Sequence, residues 1–257
     1  MIYGDSGPAL ARLAAALRHR GVERALLVSE ANEAGQAPPG CEWLRNDGLP
    51  ACGARQQAGL RAALARGWDP ILTLRPEHDP AAVPRLLDAL APGVDVALGS
   101  RLAWGGEGLS LGRRAGLRAL GAALDWAAGA HLGEPTSGYR LARAAALRRV
   151  SLDELSPGRA FDVELVLALA ERGAQIVEVG VAGESSLGPT AALGYALGAL
   201  RVGGRALDAR LRGVLGFPGP ALPPAAPVVG PSTRPGRSLP VVQRDGENLS
   251  TAGGGSG

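Results

Sequence analysis

The residues able to do chemistry fall into three groups. Thr73, Arg75, Glu77, His78 and Asp79 come first, Ser100 and Arg101 next, and Glu134 with Thr136, Ser137, Gly138 and Arg140 last. A carboxylate can take the proton of an attacking group, which makes Glu77, Asp79 and Glu134 the candidate acids and bases. An arginine fork grips phosphate-type anions. Arg75, Arg101, Arg113, Arg114 and Arg140 could together supply such a grip. Each also has a plain structural reading. Asp79 stands before Pro80, where it suits a helix N-cap, and a single arginine is usually surface or scaffold.

These groups need elements to hold them. Residues 71–74 are a short apolar run, and Pro76 and Pro80 punctuate the polar turn that follows. Val83, Leu86, Leu87 and Leu90 recur at helical spacing. Pro92-Gly93 stops that helix, and residues 94–98 form a second apolar run ending at Gly99-Ser100-Arg101. Strand, helix and strand predict a right-handed βαβ unit whose two strands lie side by side, buried on both faces. Ligands bind beyond the carboxyl ends of such strands, where the first two groups stand.

In their order, these residues resemble the inverting family 2 glycosyltransferases, nearest the dolichyl- or polyprenyl-phosphate sugar transferases. The resemblance rests on His78-Asp79-Pro80, on Asp95-Val-Ala-Leu-Gly-Ser-Arg101, on Gly105-Gly106, on Arg113-Arg114 and on Thr136-Ser137-Gly138-Tyr139-Arg140. Gln175-Ile-Val-Glu-Val-Gly-Val181 is similar to a later strand of that family, and the likeness runs over residues 24–200. It implies a three-layer α/β domain of the GT-A type with a mostly parallel sheet. It also implies a nucleotide-sugar donor, a lipid-phosphate or other acceptor, and Mg²⁺ or Mn²⁺ if the family mechanism survives. Glu134 then stands where the family often has an acid, as candidate base beside Asp79. Arg75, Glu77, His78, Ser100, Arg101, Gly105, Gly106 and Arg140 are implied as substrate or nucleotide contacts, with Thr136, Ser137 and Gly138 as the acceptor-side loop.

The chain departs from this pattern where the metal should bind. Counted back from His78, the family's D-x-D is Thr73-Leu74-Arg75 here. A divalent ion needs hard oxygen ligands, which arginine cannot offer, so no metal ligands are assigned. The aspartate pair after the second strand is missing too, although Glu30 and Glu33 keep charge nearby. The family's R-x-x-G-x-S has Ser185 at its arginine and Thr190 at its serine.

The rest of the chain sets bounds. It has 257 residues, 46% hydrophobic and 4% aromatic, so its core must be Ala, Leu and Val. All 27 basic residues are arginine and the net charge is +3, too small to argue for nucleic acid. Cys41 and Cys52 have no zinc-site spacing, and a reduced, cytoplasmic setting follows, at most at the inner face of a membrane. The start lacks signal-peptide character, and no run is long enough to span a bilayer. Asp5 or Ser6 would cap a first helix, preceded by a stretch too short for a full strand, vestigial or truncated. Residues 24–29 and 43–45 read as strands, 54–66, 112–130 and 163–172 as helices, and 174–181 as a strand. Asn46-Asp47-Gly48 with Gly53 is either a phosphate-cradling turn or an ordinary one. Residues 190–216 are apolar and arginine-bearing, packed on the domain or lying on a membrane surface. A domain over 1–215 is expected, with 216–257 a disordered Pro/Gly-rich tail in which Asn248-Leu249-Ser250 only formally matches a sequon.

Two functions fit these residues. One is a glycosyltransferase with an altered metal and nucleotide site. The other is a non-catalytic descendant that keeps the fold as a binding or scaffold module. A dinucleotide-binding reading fits the βαβ pattern but lacks G-x-G-x-x-G after a first strand.

Overall fold

The computed structural model describes residues 1–3, 7–20, 22–29, 37–45, 52–106, 109–128, 132–182 and 204, with side chains omitted at 123–128. The expectations for Asp5, Ser6, Glu30, Glu33, residues 46–48, residues 184–216 other than Gly204, and the tail lie outside that set.

Two sheets meet at one parallel bridge. The strands β1 (Ile2–Tyr3), β2 (Ala25–Ser29) and β3 (Cys41–Arg45) pair in parallel. The strands β4 (Ile71–Thr73), β5 (Val96–Ser100), β6 (Arg140–Ala142) and β7 (Ile176–Gly180) take the order β4-β6-β5-β7. Ile2 bridges Leu74; Tyr3 N–H donates to Leu74 O, and Leu74 N–H to Met1 O, each at 3.2 Å. The continuous order is therefore β3-β2-β1-β4-β6-β5-β7, with β6 antiparallel to both its neighbours.

This corrects the expected adjacency of the two apolar strands. β6 lies between them, with Thr73 opposite Arg140 on one side and Leu98 opposite Arg140 on the other. Three residues, one of them a charged arginine, leave no alternating pattern to read. Burial of the two runs holds in the main: Ile71, Thr73 and Leu74 are buried, as is all of β5, but Leu72, Val94 and Asp95 are half-buried and β5 begins two residues later than the expected 94–98. The first strand is real though short, because it takes ladder bonds from both β2 and Leu74.

Successive strand residues feed opposite cores, as the pleat requires. Met1, Tyr3, Leu26, Val28, Val96 and Leu98 pack on one side with α2 (Cys52–Ala65) and α6 (Phe161–Glu171). Ile2, Leu27, Ala97 and Val177 pack on the other with α1 (Gly7–Arg18) and α3 (Val83–Ala89). That is the three-layer arrangement, and it explains strands apolar at every position. Helix α6 is apolar nearly all round and buried from Phe161 to Leu169. Each fully buried leucine or phenylalanine in it contributes about 1.5–3 kcal/mol. α4 (Leu111–Ala128) and the short α5 (Ala144–Leu147) complete the set. No described helix is long and apolar enough to cross a membrane.

Candidate functional site

The carboxyl ends of β1, β4 and β5 and the amino end of β6 open on one edge of the sheet. Three arginine–carboxylate pairs occupy that edge: Arg75–Glu77, Arg101–Glu134 and Arg140–Asp162. His78 lies among them, within electrostatic reach of Arg75, Arg101 and Arg140.

At the end of β4 the chain turns so that Arg75 N–H donates to His78 Nδ1 at 3.1 Å. The proton of the neutral ring is therefore on Nε2. The imidazole stacks on the Tyr139 ring, centroids 4.8 Å apart and planes 7° from parallel. The Tyr139 hydroxyl donates to Asp79 O at 3.0 Å. Burial, then the neighbouring guanidiniums, holds the His78 pKa well below 6.5. Burial, with Asp79 adding to it, raises that of Tyr139. Asp79 caps the following turn, its Oδ1 accepting from Ala81 N–H at 2.9 Å. The N-cap reading of Asp79 therefore holds, with a 3₁₀ turn (Pro80–Ala82) leading into α3.

At the end of β5, Glu134 is wholly buried and its carboxylate closes the strand. Glu134 Oε2 accepts from Arg101 N–H at 2.6 Å and from Leu102 N–H at 3.3 Å. Glu134 Oε1 accepts from Arg101 Nε at 2.6 Å and also from Nη2. Glu178, from β7, holds the loop from below by accepting from Gly133 N–H at 3.0 Å and Glu134 N–H at 2.8 Å. The candidate base is thus engaged on both oxygens.

Ser100 and the two glycines shape the next turn. Ser100 Oγ accepts from Ala103 N–H at 3.2 Å. Gly105 and Gly106 have φ of 88° and 71°, a backbone region that side chains rarely enter. Gly106 lies against the Arg114 guanidinium, so the G-G turn seats that arginine. Arg113 N–H reaches Ser110 Oγ at 3.4 Å.

The Thr136–Arg140 segment is buried throughout. Thr136 Oγ1 and Arg140 Nε and Nη1 have no partner among the described residues. Ser137 Oγ accepts weakly from Tyr139 N–H, at 3.4 Å. A Cβ on Gly138 would collide with the Tyr3 hydroxyl, beside the Asp162 carboxylate. Sequence reasoning passed over Asp162 and Glu178. The available signal was the chemistry itself: a carboxylate in the first turn of a largely apolar, buried helix needs a partner, which is a guanidinium for Asp162 and the Ser156 N–H for Glu164.

The donor set decides whether a divalent cation fits. It would need several oxygen ligands, and β4 ends in Thr73-Leu74-Arg75. Glu77, Glu134 and Asp162 each already hold a guanidinium. Among the described residues no group of three or more His, Cys, Asp or Glu side chains is placed to hold a metal. The described residues do not fit the ion.

No family model matches the chain. It is 33% identical over 144 residues to an undecaprenyl-phosphate mannosyltransferase of Micrococcus luteus, covering 52% of this chain and 55% of the relative. It is 30% identical over 137 residues to a polyprenol monophosphomannose synthase of Mycolicibacterium smegmatis, covering 49% and 50%. The chain spans about half the length of the curated relatives it matches. Mannosyl-3-phosphoglycerate synthase from Rubrobacter xylanophilus superposes with a TM-score of 0.61 at 14% identity, over 86% of this chain and 77% of that one. Glucosyl-3-phosphoglycerate synthase of M. tuberculosis gives 0.52 at 16%, over 84% and 80%. The fold is the GT-A fold of these sugar-transferring synthases, and the sequence is similar to polyprenyl-phosphate mannosyltransferases of the family 2 type.

Proposed function

We propose that the protein transfers a sugar, mannose being favoured by the names of its relatives, from a nucleotide-sugar to a polyprenyl phosphate. One observation carries the choice of acceptor. Glu77, Glu134 and Asp162 are each held by a guanidinium and Asp79 by an amide, so every one of these carboxylates is engaged and the described edge is short of free bases. A hydroxyl acceptor would need a carboxylate to take its proton. A phosphate monoester, with a second pKa near 6, arrives already ionised and needs none. In this reading Glu134 is a positioning residue that aims Arg101. Asp79 holds the turn bearing Arg75 and His78, and Arg113 and Arg114 with Thr136–Gly138 face the acceptor. His78 Nε2–H serves as a neutral donor to the bound anion. A lipid acceptor implies work at a membrane surface, at its inner face if the chain is cytoplasmic.

The test is transfer itself. The full chain is incubated with undecaprenyl phosphate and GDP-, UDP- or dTDP-sugars, and the lipid is analysed by mass spectrometry. A sugar-phospholipid is the expected product. The same engaged carboxylates favour a second reading, a GT-A module that binds and does not turn over. Thermal stabilisation by a nucleotide-sugar without product would select it, and neither binding nor product would remove both.

A further inference from the structure

We propose that Arg75 and Glu77 form an exchangeable anion site, in which the guanidinium takes the donor's diphosphate where a divalent cation would otherwise stand and Glu77 is the internal carboxylate the ligand displaces. The proposal rests on the glycosyl-donor reading only for the identity of the diphosphate.

The three pairs on the sheet edge differ in what water can reach. Arg140 and Asp162 are each 1% exposed, and Arg101 and Glu134 are 11% and 0% exposed. Parting either pair would strand a charge in a low-dielectric interior. Arg75 and Glu77 are 18% and 31% exposed, with Nε and Oε1 3.0 Å apart. A pair so placed is weak in water, and its carboxylate can swing into solvent and be hydrated. Arg75 would then present a fork to a doubly charged anion, which it binds more strongly than a carboxylate. The backbone is set for this: Arg75 N–H is fixed by His78 Nδ1, which anchors the base of the arginine while its tip exchanges partners.

The two ways of holding a diphosphate predict opposite signs for one substitution. If Arg75 binds the anion and Glu77 competes, Glu77→Gln removes the competitor and tightens binding. If Glu77 binds a metal, Glu77→Gln weakens it. The experiment is calorimetry on the full chain with inorganic pyrophosphate, then GDP-mannose and UDP-glucose, in EDTA and in Mn²⁺. Expected are pyrophosphate binding that EDTA leaves unchanged, a several-fold gain in Glu77→Gln, and a roughly tenfold to hundredfold loss in Arg75→Ala. Binding that requires Mn²⁺ and disappears in Glu77→Gln overturns the proposal, as does binding indifferent to Arg75→Ala. Pyrophosphate binding with the Arg75 signature but without nucleotide-sugar binding keeps the anion site and removes the glycosyl-donor reading. Mn²⁺-dependent nucleotide-sugar binding indifferent to Arg75 does the reverse. Absence of all binding removes both.

Discussion

Arg140–Asp162 and Arg75–Glu77 are the same chemical pair on the same sheet edge, yet one is 1% exposed on both sides and the other 18% and 31%. The buried pair is cross-bracing. Asp162 ties α6 to β6, and β6 is the strand that holds β4 and β5 together. The half-buried pair ties one turn to itself across two residues. Solvent access, more than residue type, separates an arginine locked into the fold from one whose ion pair can part.

The largest effect expected from this contrast is at Asp162. Asp162→Ala leaves the Arg140 guanidinium buried without its anion and should cost about 3–5 kcal/mol in urea unfolding. The contrast breaks if that loss is no greater than the loss from Arg75→Ala. Next comes Gly138→Ala, which sets a methyl against the Tyr3 hydroxyl. A cost of about 1–3 kcal/mol is expected. Most of it should return when the same change is made in a Tyr3→Phe background; equal cost in both backgrounds would place the clash elsewhere.

His78 gives a third test, set by pH. Folding lowers its pKa well below 6.5, so below that pH the unfolded chain binds a proton that the folded chain refuses. Its contribution is therefore intact above 6.5 and lost as pH falls, with a slope reaching about 1.4 kcal/mol per pH unit. Chemical denaturation at about pH 7 and pH 5.5 should show this extra loss in the wild type and not in His78→Gln. Identical slopes would mean that the ring is charged in the folded protein. The smallest effect is that of Arg75→Ala on stability, under about 1 kcal/mol, because its pair is partly exposed to water. A thermal melt that drops as far as for Asp162→Ala would make Arg75 a structural residue.

Particular residues show why some of this was legible in the sequence. β2 and β5 were legible because Ala25–Val28 and Val96–Leu98 are buried apolar runs, although β5 extends to Ser100 and starts two residues later than expected. Asp79 declared its cap because aspartate before proline leaves few other local structures. β6 was invisible because Arg140, which opens it, is neutralised by a residue 22 positions away. Glu134 was visible as an acid, but its work was not, since the partner Arg101 is 33 positions distant. Local backbone preferences are written in neighbours, whereas the pairing of charges is settled only when the sheet is assembled.

The insertion of β6 between β4 and β5 also bears on how the chain comes together during synthesis. β4 is complete at residue 73 and β5 at residue 100, but the strand that joins them runs from 140 to 142. A nascent chain that has emerged only past β5 therefore carries the edges of both strands without the partner that will cover them. Such edges invite pairing with other chains. The amino-terminal strands β1 to β3 pair among themselves and face no such wait. The half of the sheet from β4 to β7 is thus the late-assembling part, and it is there that slow translation or a chaperone would matter most to yield.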